Sequence, residues 1–141
     1  MKAKPFIISF LAVVAVVAAV SIYVSATVDK AAKSIAVVVS PDGKYKAVKV
    51  TMAGGGTSPF CFDSVSVVFA AYPDNFSERD KAYEIYSGPC GVFADHQPSP
   101  KIEWLSATAL QISYANNPTK KPKLKDIDVT KTVHVTFAAR E

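Results

Sequence analysis

The sequence predicts an all-β exported domain behind one N-terminal membrane segment. Three observations carry this. Residues 5–28 contain no charged side chain, and Lys2 and Lys4 stand in front of them. Beyond residue 33, short runs of β-branched and aromatic residues alternate with Gly, Pro, Asn and Asp clusters, which is the pattern of strands and turns. No amphipathic helical period follows the first segment. The expected architecture is an antiparallel sandwich or strongly twisted sheet of about 6–7 strands, with one N-terminal transmembrane helix before it.

The apolar run from Phe6 to Val20 continues through Ser21-Ile22-Tyr23-Val24-Ser25-Ala26. A helix through lipid needs about 20 apolar residues, and this stretch supplies them. Positive flanks stay cytoplasmic, so the N-terminus is expected inside and the remainder outside, at a bacterial inner membrane. Tyr23 sits where an aromatic anchor meets the outer interface. The competing reading is a signal peptide cleaved after Ala26, which would leave a secreted or periplasmic domain. No cysteine lies near the end of the run, which argues against a bacterial lipid anchor. The expected organisation is therefore an anchor or signal over 1–28, a stalk over 29–33 and an extracytoplasmic β-domain over 34–141. That length suits one domain.

The exported part is close to neutral. Its fourteen Lys and Arg face twelve Asp and Glu, a balance of +2. With no basic helix bearing interleaved aromatics, nucleic acid is excluded as an expected partner. Cys61 and Cys90 are the two cysteines. In an oxidising compartment such a pair is most simply a disulfide, stabilising the fold by roughly 3–4 kcal/mol through loop closure; the alternative is a free catalytic cysteine served by His96 or His134.

Taken in order, Ser34–Ser40 is apolar on both faces, as expected of a central strand. Pro41-Asp42-Gly43 makes a turn, since Pro presets φ and Gly accepts a positive φ. Lys44–Met52 alternates but slips near Ala47 and Val48, which predicts a bulge. Ala53–Pro59 is a glycine loop. Phe60–Ala71 is a long strand with Val65, Val67 and Phe69 on one face. Tyr72–Ala82 is a charged excursion, and Tyr83–Tyr86 a short strand. Val92–Pro100 reads as irregular, because Pro98 and Pro100 block regular ladders. Lys101–Trp104 and Leu110–Tyr114 form a hairpin with the cleanest half-buried alternation, and Trp104 is the expected core centre. Asn116–Lys125 is a polar loop. Thr132–Ala138 closes the domain with Val133, Val135 and Phe137 facing in. The two hairpins echo each other and the first looks like part of a propeller blade, but a propeller needs about four or more blades.

The order Ser40-Pro-Asp-Gly-Lys-Tyr45, Gly54-Gly-Gly-Thr-Ser58, Ile102-Glu-Trp-Leu105 and Leu110-Gln-Ile112 resembles a group of small bacterial single-pass envelope proteins of unknown function. Members often carry Gly-Gly-Ala-Thr-Thr where this chain has Gly55-Gly56-Thr57-Ser58, so it departs at the alanine. The resemblance spans about residues 34–115. It implies a membrane helix or lipid anchor with a short β-rich domain, and it brings no activity.

No nucleophile elbow, zinc-protease or calcium-loop pattern occurs. Gly54, Gly55 and Gly56 leave backbone amides open, and with Thr57, Ser58 and Phe60 they form a candidate partner loop. A flexible β-loop is the plainer reading. Phe76, amid charges, marks a second candidate partner surface. His96 and His134 are too few for a metal site by themselves; joined by Asp95 or Asp63 they could bind zinc, but surface histidines are the plainer reading, and Glu84 with Glu103 would act together only if folded side by side. Lys120–Lys125 could touch anionic lipid or an acidic partner, but Asp126 and Asp128 follow directly and offset it, and a solvated loop is the plainer reading. The expected function is a non-enzymatic membrane-anchored protein, without cofactor, whose exported domain binds an envelope or foreign protein. Alternatives are protection against a toxin or phage at the inner membrane, and a small periplasmic ligand carrier or hydrolase using a pocket of Asp95, His96 and Glu103.

Overall fold

The computed structural model describes residues 13–21 and 31–141. The chain divides into two units at Lys30 and Ala31. In the first, helix α1 covers 13–21 and holds exposed valines such as Val13, Val16 and Val17. The Ser21 hydroxyl donates to the Val17 carbonyl at 2.8 Å, so this polar group is satisfied within an apolar helix. Among the described residues no helix is long and apolar enough to cross a membrane. Most of the expected anchor, with Tyr23 and the cleavage position Ala26, lies outside the described residues.

The second unit is mostly β, in antiparallel sheets with one parallel pair. Strands β1 (Ala32–Val39), β2 (Tyr45–Gly54), β3 (Phe60–Phe69) and β4 (Glu84–Pro89) form one sheet, completed by the two-residue β9 (Lys123–Leu124), in the order β1-β2-β3-β4-β9. A second sheet orders β10 (His134–Arg140), β8 (Ala109–Ala115) and β7 (Lys101–Ser106). A small ribbon pairs β5 (Gly91–Val92) with β6 (Pro98–Ser99).

The two larger sheets share a core. Tyr45, Ala47, Val65, Val67, Ile85 and Tyr86 from the first meet Leu110, Ile112 and Val135 from the second, with Val133 just ahead of β10. On the opposite face of the five-stranded sheet, Val48, Val50 and Val68 are covered by Tyr72, Phe76 and Tyr83. These aromatics come from the 72–83 excursion, which contains a one-turn helix α2 (Phe76–Arg79) and a 3-10 turn (Lys81–Tyr83). Two cations pin it down. Buried Lys46 donates to the Tyr72 carbonyl and, at 2.7 Å, to Asp74, while Lys33 reaches Glu78 at 2.8 Å.

Several expectations are corrected. β1 is an edge strand, not a central one, and all eight of its residues are exposed. No bulge interrupts β2, whose register with β1 and β3 is continuous. Its alternation slips because both its faces are buried, so apolar residues belong on each. The irregularity lies between β3 and β4, at Val65 and Ser66. Trp104 is not the core centre. It is half-buried on β7, an edge strand, and its indole N–H donates to the Val38 carbonyl at 2.9 Å. The centre falls on β8, the middle strand, at Leu110 and Ile112. The stretch 92–100 is less irregular than expected, since Pro98 opens β6.

The β8–β10 pair is parallel, an exception to the expected antiparallel pairing. Parallel neighbours need a long connection. Here residues 116–133 cross to the other sheet, lend β9 to β4, and return.

Candidate functional site

The sheet register brings together a set of residues that are distant in sequence. Side chains alternate along a strand, so Val48, Val50 and Met52 of β2 share a face with Phe62 and Val68 of β3. The excursion covers the Val48 and Val68 half of this face. Towards the β2–β3 turn the face is open, and Met52, Phe60 and Phe62 are exposed there. Lys123 joins the same side, because it pairs with Ser87 on β4 and Ser87 pairs with Ser64 on β3. Pro122 packs closely on Gly88, where an added Cβ would lie 3.0 Å from the proline ring. That contact carries Lys120 and Lys121 to the rim. The result is an open groove of about 810 Å³ with an apolar floor of Met52, Phe60 and Phe62 and a rim of Lys120, Lys121 and Lys123.

The glycine loop forms one end of this groove. A Cβ at Gly54 would lie 2.2 Å from the Phe60 ring, so glycine there lets the ring lie across the β2 backbone. Gly56 has φ +83°, a conformation that disfavours other residues. Gly55, Thr57 and Ser58 are exposed in the turn. Phe76 does not belong to this surface. It is half-buried and stacks edge-on to Tyr83 with ring centroids 5.2 Å apart.

Cys61 and Cys90 form a disulfide with Cα atoms 5.3 Å apart. It joins the start of β3 to the end of β4, directly behind Phe60 and Phe62. The Cys90 N–H also donates to the Cys61 carbonyl, so this end of the sheet is held by covalent and hydrogen bonds together.

The lysines of the rim form no ion pair with the acids that follow them in sequence. Asp128 is buried, and its carboxylate accepts hydrogen bonds from the Thr130 hydroxyl and from the backbone amides of Thr130, Thr132 and Val133. Its oxygens are committed to its own loop, so it forms no ion pair with the lysines. Burial alone would raise its pKa, but these hydrogen bonds outweigh that and hold the carboxyl below the ordinary value. Lys33, Lys44, Lys46, Lys81 and Lys101 have carboxylate partners. Among the described residues, Lys120, Lys121 and Lys123 have none.

The remaining titratable groups are dispersed. His96 sits in the turn between β5 and β6 with φ 63°, while exposed His134 opens β10 beside Ala109. Ser99 of β6 holds Ala115 at the other end of β8. The strand rise therefore separates the histidine regions by about 20 Å. Among the described residues, no group of three or more His, Cys, Asp or Glu side chains could hold a metal ion. Glu84 pairs with Lys81 and Glu103 with Lys101, on different sheets. A cleft of about 650 Å³ includes Asp95, but its other walls are Phe93, Lys101, Arg140 and the chain end, without His96 or Glu103. Asp63 is buried and accepts from the Thr51 hydroxyl. Burial, the nearby Asp63 charge and Tyr114 push the Tyr86 phenol up to about 12.

No family model, curated protein or solved structure matches this chain.

The sequence marked the glycine loop and the lysine run separately and missed Met52 and Phe62. A two-residue alternation does place Met52 and Phe62 among exposed positions, but their pairing across β2 and β3 is a matter of register.

Proposed function

We propose that this chain is a non-enzymatic envelope protein, tethered through residues 5–28 in a bacterial inner membrane, whose exported β-domain binds another protein along β1. The observation that supports this most strongly is the state of β1. Its eight residues are exposed at a sheet edge, and Ile35, Val37, Val38 and Val39 are among the exposed large apolar side chains. An edge of this length normally carries charges, prolines or bulges that block further pairing. β1 has one charged residue, Lys33, and that is paired with Glu78. Apart from the Val38 carbonyl, which the Trp104 indole already occupies, such an edge suits a partner that adds a strand, with backbone hydrogen bonds giving affinity and alternate side chains giving specificity.

The location draws support from three sources. The uncharged stretch 5–28 follows two lysines, the disulfide fits an oxidising compartment, and the motif order resembles that of small envelope proteins. The natural test places a photo-crosslinking residue at Val37 in whole cells, with exposed Thr136 on β10 as the control position. A discrete protein adduct from position 37, absent from 136, is expected. Equal labelling at both positions, or none at 37, would rule out the edge as a partner site. N-terminal sequencing of the mature protein checks the tether, since a chain beginning at Thr27 has lost it.

A further inference from the structure

We propose that the open face formed by Met52, Phe60 and Phe62, rimmed by Lys120, Lys121 and Lys123, rests on the headgroups of anionic phospholipids. This rests on the tethered reading above and concerns a surface distinct from the β1 edge.

The first argument is where the chain enters the domain. Ala32, the first residue of β1, pairs with Ala53, and Gly54 pairs with Phe60. The start of β1 and the glycine turn therefore lie at the same end of the sheet. Only residues 29–31 separate Val28 from Ala32, so the chain can extend at most about 14 Å between those two residues. A domain tethered through 5–28 has this end within reach of the bilayer surface.

The second argument is chemistry. Phe60 and Met52 are 51% and 44% exposed, an apolar surface that water does not favour. Aromatic and thioether side chains suit the boundary between headgroups and acyl chains, and lysines beside them reach lipid phosphates. Lys120, Lys121 and Lys123 have no ion-pair partner among the described residues, and the neighbouring Asp128 carboxylate is turned into its own loop. An apolar floor beside three lysines that form no ion pair matches an anionic membrane surface better than it matches a neutral one.

The third argument is rigidity. The Cys61–Cys90 disulfide braces the strands behind Phe60 and Phe62, and the Phe60 ring lies over Gly54. The face is presented by a fixed scaffold and does not have to order on contact.

The test uses the full chain with lipid vesicles of two compositions, phosphatidylcholine alone and phosphatidylcholine with about one third phosphatidylglycerol. Retention in the neutral vesicles after carbonate washing reports the tether alone. Hydrogen exchange at the 55–58 turn and at residues 119–121 reports the face. Exchange there is expected to slow by about fivefold or more in anionic vesicles at low salt, and to recover at high salt. The K120E/K121E/K123E variant is expected to lose the slowing while keeping its retention. Exchange that is equal in both vesicle types, or slowing that survives the triple substitution, would overturn the proposal. If the chain is not retained by neutral vesicles, the tether reading fails. Salt-sensitive sedimentation with anionic vesicles, lost in K120E/K121E/K123E, would then still support the face, and its absence would sink it. Slowing that requires added membrane protein and not lipid assigns the face to an acidic protein and also overturns the lipid reading.

Discussion

Asp128 shows how much one side chain can organise. Its two carboxylate oxygens satisfy three backbone amides and a hydroxyl in the loop that delivers Val133 and β10 to the core. Asp128→Ala is expected to destabilise the domain by roughly 2–3 kcal/mol in urea unfolding, because buried amides lose their acceptor. Because the folded pKa lies below the unfolded value near 3.8, the stability it provides is present above that value and is lost as pH falls through the folded one. Asp128→Asn should therefore flatten this part of the acid dependence, measured by unfolding midpoints between about pH 5 and pH 2. Tyr86 gives the opposite limb. Its phenol is raised to about 12, so stability should fall as pH rises from the unfolded value near 10 towards that figure. Tyr86→Phe should remove a late step from the alkaline absorbance titration at the phenolate band. Neither role was legible in the sequence. In the sequence Asp128 is one of two acids that follow the lysines, and the amides it serves lie two to five residues ahead.

Among the elements, the hydrophobic patterns of β1 and β2 point away from their positions in opposite directions, for one cause. Ile35 to Val39 is apolar on both faces, which usually marks a central strand, yet β1 lies at the edge. The alternation of Tyr45 to Val50 slips, yet β2 runs straight between two neighbours. Hydrophobic pattern reports which faces are covered or kept apolar. It does not report how many strands flank an element. The hairpin turn was legible, because Pro41-Asp42-Gly43 has its own chemistry and Gly43 does take φ +72°. Gly43→Ala is expected to cost about 1 kcal/mol through backbone strain alone, since nothing lies within 4 Å of the added methyl. At β1, Val37→Lys should change thermal stability by less than about 0.5 kcal/mol, being exposed, while abolishing the crosslinked adduct. A stability loss much larger than that would mean β1 serves the fold more than a partner.

For the whole molecule, the disulfide is the clearest lever. It closes the 29-residue separation between Cys61 and Cys90. Reduction, or Cys61→Ser with Cys90→Ser, should lower unfolding stability by roughly 3–4 kcal/mol, checked by urea titration with and without reductant. The glycine turn and lysine rim flank this bridge, so reduction should also loosen the proposed lipid face. By itself, the sequence determined the β class of the second unit, its main turns, the cysteine pair and the inward set Val65, Val67, Leu110, Ile112, Val133 and Val135. These follow from local propensity, turn chemistry and two-residue alternation, which act over a few neighbours. The tertiary structure alone decided that β1 is an edge, that β10 runs parallel to β8, that Trp104 sits at the margin, and that Met52, Phe60 and Phe62 meet Lys120, Lys121 and Lys123. Those facts depend on strand order, register and a crossover between sheets, which are long-range pairings that no local pattern encodes.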